Sequence, residues 1–219
     1  ESESRGLGDV YKRQVYMCGI IGYSGPKEPL PILIGGLSRL EYRGYDSAGV
    51  AILDGKKLTI EKKEGKLQVL KDHLEDKKII GNIGIGHTRW ATHGIPNNIN
   101  AHPHSDNQKE FAIIHNGIIE NYAEMKDDLL KENYIFESDT DTEVVAVELG
   151  NQWTGRLLET VTNVAKKLDG TYALVVTSTK EPGTIVAGRM MSPLVLGVGE
   201  EETFLASDSA CLLYTSDAA

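Results

Sequence analysis

Cysteine is scarce in this chain. Only Cys18 and Cys211 occur in 219 residues, which excludes a disulfide framework and makes a reduced, cytoplasmic setting the expectation. Long apolar runs are missing. No stretch reaches the ~18 residues of a membrane span. Residues 1–16 are polar and lack the apolar core of a secretory signal, so no membrane partner is expected. Basic residues are outnumbered: 23 Lys and Arg face 32 Asp and Glu, a formal charge of −9. That balance argues against nucleic acid or anionic lipid as partner. There is no internal repeat and no low-complexity linker. The length suits one domain with a sizeable core, or one domain plus a fragment.

What is present begins with Cys18. It follows Met17 and opens the run Cys18-Gly19-Ile20-Ile21-Gly22, an apolar, strand-like stretch bracketed by glycines. A start at Met17 makes the initiator removable, because the next residue is small. Cys18 then carries a thiol nucleophile and a free α-amine on one residue. An α-amine has a pKa near ~7.7–8.0, close to working pH, and can act as a general base. The same activation serves N-terminal threonine nucleophiles. The plain alternative is a small buried hydrophobe, which is how most free cysteines behave.

Downstream, Lys27–Leu40 has apolar residues at helical spacing, with Pro29 and Pro31 tolerated only in the first turn. Ser47–Leu53 and Lys57–Glu61 flank Asp54-Gly55, a hairpin signal. A short amphipathic helix is expected over Leu67–Leu74 and a glycine-rich strand over Ile79–His87. Residues 88–107 read as a long irregular segment, Phe111–His115 as a strand, and Tyr122–Leu130 as a helix. Thr140 and Glu143 have the spacing of a capping box before an apolar run. A further helix places Leu157, Leu158, Val161, Val164 and Leu168 on one face. Strands are expected over Thr171–Thr179, Thr184–Arg189, Leu194–Val198 and Thr203–Ala206. Strands, then helices, then strands, with hairpin-like links, predict an antiparallel α+β layered fold and argue against a doubly wound sheet.

The candidate chemistry is concentrated in residues 87–143. Long loops without structure of their own are commonly functional, and residues 88–107 hold Arg89, Trp90, Thr92, His93, His102 and His104. Five of the six histidines lie between 87 and 115. Zinc is one reading of His102-Pro103-His104, but no nearby cysteine, helical His pair or carboxylate completes a set. Histidines bound to loop backbone are the plainer reading, and no metal is expected. Arg89 can hold a carboxylate bidentately. Its bland alternative is a surface salt bridge. Asn116-Gly117 is either a hairpin turn or the pair of donors, a side-chain amide and a backbone N–H, that an oxyanion hole needs. Asp139 and Asp141 either favour a helix N-terminus electrostatically or supply the acceptor for a substrate ammonium.

Six segments occur in order: Cys18–Gly22, LEYRGYDSAG (Leu40–Gly49), HTRWATHG (His87–Gly94), NAHPH (Asn100–His104), HNGIIEN (His115–Asn121) and SDTDTE (Ser138–Glu143). Together they resemble the class II glutamine amidotransferase (glutaminase) domain of the glutamine–fructose-6-phosphate aminotransferases, over about Met17–Ser209. The resemblance implies an N-terminal-nucleophile hydrolase with a four-layer αββα sandwich and no cofactor. It implies that Cys18 attacks the side-chain amide of L-glutamine, helped by its own α-amine. Asn116 and Gly117 then stabilise the oxyanion. Arg89 takes the substrate carboxylate, with Thr92 and His93 lining that end, and Asp141 takes the ammonium. Trp90 matches a tryptophan near the path of ammonia.

The same resemblance divides the chain into a non-native leader or propeptide (1–16), the amidotransferase domain (17–209) and a non-native tail (210–219). The sugar-isomerase domain that binds fructose 6-phosphate, and through which the full-length enzymes can dimerise, is expected to lie outside these residues. Two alternatives stay open: a class II amidotransferase with another acceptor, or an inactive glutamine-binding domain whose Cys18 amine is blocked by the residues before it.

Overall fold

The structure, a computed structural model, describes residues 18–91 and 94–212. Ten strands form two sheets. They are β1 (Gly19–Ser24), β2 (Ser47–Asp54), β3 (Lys57–Glu64), β4 (Ile83–Arg89), β5 (His104–Ser105), β6 (Phe111–Ile119), β7 (Gly170–Ser178), β8 (Ile185–Met190), β9 (Val195–Val198) and β10 (Thr203–Ala206). One sheet has the order β3-β2-β4-β1-β10-β9 and the other β5-β6-β7-β8. The strand pairs in both are antiparallel. Five helices cover them: α1 (Pro29–Leu40), α2 (Leu67–Leu74), α3 (Tyr122–Lys131), α4 (Asp141–Asn151) and α5 (Leu157–Ala165).

The layering follows from strand periodicity. Neighbouring residues on a strand point to opposite faces. On β1, Ile20 enters the core between the sheets, while Ile21 packs under α1 and α2. On β6, Ala112 and Ile114 face the other sheet, while Phe111 and Ile113 face α4 and α5. Both faces of both sheets are therefore apolar, and the product is four layers, αββα. In Ile83-Gly84-Ile85-Gly86 the isoleucines face inward and the glycines face α1. A Cβ on Gly84 would lie 2.7 Å from Leu33 Cδ1 and 2.9 Å from Pro29 Cβ. The glycine lets the helix rest on the strand backbone.

At one end the inter-sheet layer turns polar. Ile20 is followed, two positions back, by Cys18. Ile85 continues as His87 and Arg89 on the same face of β4, and Ile114 continues as Asn116 on β6. The first turn of α4 closes this end. Thr140 caps the helix by accepting from the Glu143 N–H at 3.3 Å. The Glu143 carboxylate turns instead to the N–H groups of Glu137 and Ser138, so only half of a reciprocal capping box forms. The predicted helix is buried nearly all round. Val145, Ala146 and Leu149 face the four-stranded sheet, and Val144 and Val147 face Leu129 of α3.

Four buried histidines line this junction, and their partners are mostly threonine hydroxyls rather than the loop backbone expected from sequence. His102 Nε2 and His115 Nδ1 meet Thr142 Oγ1 at 2.8 and 3.0 Å, and His104 Nε2 meets Thr140 Oγ1 at 3.0 Å. His102 also stacks on His87, with ring centroids 4.3 Å apart. Among the described residues no group of three or more His, Cys, Asp or Glu could hold a metal ion. No described helix is long and apolar enough to cross a membrane.

Several local expectations are corrected. β4 starts at Ile83 rather than Ile79, because its neighbours β1 and β2 offer partners only from Ser24 and Leu53 inward. β6 runs on through Asn116-Gly117 to Ile119, because β7 pairs with all nine of its residues, so this dipeptide is not a turn. Leu158 is 63% exposed and lies off the buried face of α5. Apart from these corrections, Cys211 is buried against α1, where its carbonyl accepts from Arg39 at 3.2 Å.

Two outcomes are expected. Ile114→Ala, in the inter-sheet core, should cost about 2–5 kcal/mol in urea unfolding, whereas Leu158→Ala should stay within about 0.5 kcal/mol. The histidines set the acid limit. Burial holds His87 neutral, with its pKa lowered to about 3, and holds His102 and His104 well below the usual imidazole value. In the unfolded chain they titrate near ~6.5. Below that pH the unfolded state binds more protons than the native one, so stability falls as pH falls. Each such proton contributes about 1.4 kcal/mol per pH unit. Unfolding free energy should be level above about pH 6.5 and drop steeply between pH 6 and 4. A flat profile there would contradict the assignment.

Candidate active site

Cys18 sits at the mouth of β1, and the pairing Gly19↔Thr88 sets it beside the end of β4. The Trp90 N–H donates to Cys18 Sγ at 3.1 Å, and the thiol reaches back to the Trp90 carbonyl at 3.6 Å. Burial pushes the thiol pKa up; the Trp90 N–H and the Arg89 charge pull it down, and Asp46 works against them. The net shift is upward, so the thiol at rest is protonated and needs a base to become a nucleophile.

Opposite Cys18 stands Asn116, from the other sheet. Its Nδ2 donates to the Cys18 carbonyl at 2.9 Å, and its Oδ1 lies 2.9 Å from His87 Nε2. Gly117 follows at φ +128°, and a Cβ there would lie 1.9 Å from the Thr171 carbonyl oxygen. Only glycine fits that backbone.

Arg89 is buried, with Nη2 donating to Gly94 O at 3.2 Å and Nη1 lying 3.9 Å from Asp46 Oδ1. Burial disfavours its charge, while Asp46, Cys18 and Asp141 favour it. Asp141, the first residue of α4, accepts from the Ile119 N–H at 2.9 Å and lies 3.9 Å from His115 Nδ1. Its neighbour Asp139 is turned away towards Asn100 at 3.3 Å.

Cys18, Arg89, Trp90, Asn116, Gly117 and Asp141 all line one cavity of about 250 Å³. That is below the roughly 300–1,000 Å³ of pockets for drug-sized ligands, and suits a small metabolite. A cationic and an anionic side chain share its wall with a thiol and an amide. This combination can hold the α-carboxylate and α-ammonium of a free amino acid and attack a carbonyl carbon at the end of its side chain. Thr92 and His93 lie outside the described residues.

Sequence reasoning missed two supports. Asp46 accepts from the Ala91 N–H at 2.5 Å and from the Ser47 hydroxyl at 2.9 Å, which fixes the turn bearing Trp90 beside Cys18. Ser192 also lines the cavity, from a turn in which Met191 takes φ +66° and the Ser192 N–H returns to the Met190 carbonyl at 2.8 Å. Asp46 and Ser47 lay in a quoted motif, but nothing local marked them; Ser192 had no signal at all.

Comparison with known proteins agrees with this geometry. The sequence profile of the glutamine amidotransferase domain matches residues 87–214. The chain is 52% identical over 197 residues to the glutamine–fructose-6-phosphate aminotransferase (isomerizing) of Aquifex aeolicus, covering 90% of this chain and 33% of that protein. It is 51% identical to the enzyme of the same name from Clostridium acetobutylicum, covering 90% and 32%. The chain thus spans about a third of the length of these relatives. Among solved structures, the glutamine phosphoribosylpyrophosphate amidotransferase of B. subtilis, complexed with ADP and GMP, superposes with a TM-score of 0.79. Identity is 29%, over 91% of this chain and 44% of that one. The αββα sandwich is therefore that of the N-terminal-nucleophile amidotransferases, as expected. By sequence and by fold, this chain belongs to the glutamine amidotransferase domain family.

Proposed function

We propose that this domain, residues 17–209, hydrolyses L-glutamine to glutamate and ammonia with Cys18 as nucleophile. The observation that carries the proposal is the convergence of Cys18, Arg89, Asn116, Gly117 and Asp141 on one small cavity. Arg89 takes the α-carboxylate and Asp141 the α-ammonium, with Thr92, His93 and Trp90 completing the substrate end. The thiol gives its proton to the α-amine of Cys18, and Sγ bonds to the side-chain carbonyl carbon. The Asn116 Nδ2–H and the Gly117 N–H stabilise the oxyanion. The C–N bond then breaks, ammonia leaves with the proton held by the α-ammonium, and water hydrolyses the thioester.

In the sequence given, Cys18 is joined to Met17, and its nitrogen is an amide. An amide nitrogen is not a usable base, and an ordinary thiol is only a few per cent thiolate at pH 7. Activity therefore requires Cys18 as the first residue. The names of the relatives support fructose 6-phosphate as the acceptor of the ammonia, in a longer protein of which this is the glutaminase part; a cytoplasmic setting and dimerisation of that longer protein belong to the same proposal.

Glutamate release and N-terminal mass, measured together, test this. The chain beginning at Cys18 should turn over, whereas the chain retaining residues 1–17 should be nearly inactive. Cys18→Ala should abolish turnover, while Cys211→Ala leaves it unchanged. Arg89→Lys keeps the charge but loses the two-pronged geometry, so KM should rise more than kcat falls. Asn116→Ala should lower kcat by roughly 10²–10³ with little change in KM. Equal loss from both cysteine replacements, or an Asn116→Ala effect confined to KM, would contradict the roles given.

A further inference from the structure

The oxyanion role of Asn116 depends on which end of its amide faces Cys18. With nitrogen there, two N–H donors are available. With the amide reversed, a carbonyl oxygen would face a developing negative charge. Amide orientation is assigned from the hydrogen-bond network, and here two groups decide it. The Cys18 carbonyl, which can only accept, lies 2.9 Å from Nδ2. On the other side His87 Nε2 lies 2.9 Å from Oδ1 and 3.0 Å from the His115 carbonyl. A nitrogen facing two oxygens, one of them a backbone carbonyl, must carry the hydrogen. His87 is therefore the Nε2–H tautomer, and the amide end it meets must be the oxygen.

We propose that His87 is a positioning residue for the reaction: its Nε2–H holds the Asn116 oxygen, and thereby directs the Asn116 nitrogen at the nucleophile. His87 does not line the cavity. It is fully buried, sits on the inward face of β4 and is stacked on His102, so the ring cannot turn to solvent. Its Nδ1 has no hydrogen-bond partner among the described residues, so nothing on that side competes for the proton. Burial keeps the ring neutral, with its pKa near about 3, so the bond is unchanged across the working pH range. This role rests on the oxyanion assignment of Asn116 made above. It also adds a residue that works through another rather than on the substrate.

The first test does not depend on turnover. Imidazole ¹⁵N NMR of the 219-residue chain should find His87 protonated on Nε2 alone between pH 6 and 8. An Nδ1–H tautomer or an imidazolium would overturn the proposal. The second uses kinetics of chains beginning at Cys18. His87→Leu removes the donor and should lower kcat by roughly 10²-fold, as loss of an oxyanion donor does, with KM within about threefold. His87→Gln carries an amide nitrogen at similar reach and should recover most of that loss, with an unchanged pH profile. In the Asn116→Ala background His87→Leu should cost no more than about threefold further, because no amide is left to hold. The full loss repeated in that background, or a loss confined to KM, would overturn the proposal. If Asn116→Ala itself is silent, the oxyanion assignment fails, and the NMR result alone decides the orientation of the amide. Should His87→Leu fail to fold, His87→Gln and the tautomer measurement still decide.

Discussion

The hydrogen bond from Asn116 Nδ2, on the four-stranded sheet, to the carbonyl of Cys18, at the mouth of the six-stranded one, ties the two sheets together beside the cavity. The rest of the architecture sets its length. Ile20, Ile85 and Ile114 fill the layer between the sheets and fix their separation. One step further along the same strand faces, the side chains become Cys18, His87 with Arg89, and Asn116. The inter-sheet core is thus continued by polar residues without a change of direction. A close-packed interior transmits small shifts, so the packing of these isoleucines governs the distance between nucleophile and amide.

Polar groups at the end of a dry layer must be paired with one another or with substrate. Here part of that pairing is made within the protein, while Nδ1 of His87 and Nδ1 of His102 have no hydrogen-bond partner among the described residues. Thr140 and Thr142 pair one ring nitrogen each of His104, His102 and His115, Asp46 holds the turn after Arg89, and His87 meets Asn116. A side chain held by its neighbours costs little to organise, which is the condition for the oxyanion stabilisation proposed for Asn116 to be effective. The same burial explains the expected acid sensitivity, because a second proton on His87, His102 or His104 would leave a desolvated positive charge.

Much of this was legible from local pattern. The strand after Cys18, the helix over Leu67–Leu74 and the Thr140 cap rest on nearest-neighbour chemistry, and the structure places them where periodicity does. Cys18, Arg89, Asn116 and Asp141 were legible because each carries a functional group suited to one part of a small amino acid. What was not legible depends on partners distant in the chain. Asn116-Gly117 has the local preference of a turn, yet β7 pairs along its whole length and makes it strand. Leu158 fits a helical face by spacing, but that face ends before it. Asp139 and Asp141 are indistinguishable in SDTDTE, and only the direction of α4 turns one to the cavity and the other to Asn100. His87 looks like any strand histidine until Asn116, 29 positions later, is brought against it.

The central claim is that Cys18 is a nucleophile inside a cavity shaped for free glutamine. An electrophilic analogue of L-glutamine, with a diazoketone in place of the amide, tests it most directly. Attack by Sγ forms a carbon–sulfur bond and expels dinitrogen, leaving a stable adduct that peptide mass mapping can locate. For the chain beginning at Cys18, the account predicts one equivalent of label, on Cys18 and not on Cys211, with labelling slowed by L-glutamine and not by D-glutamine. Label on Cys211, or labelling of Cys18 that L-glutamine does not slow, would contradict it.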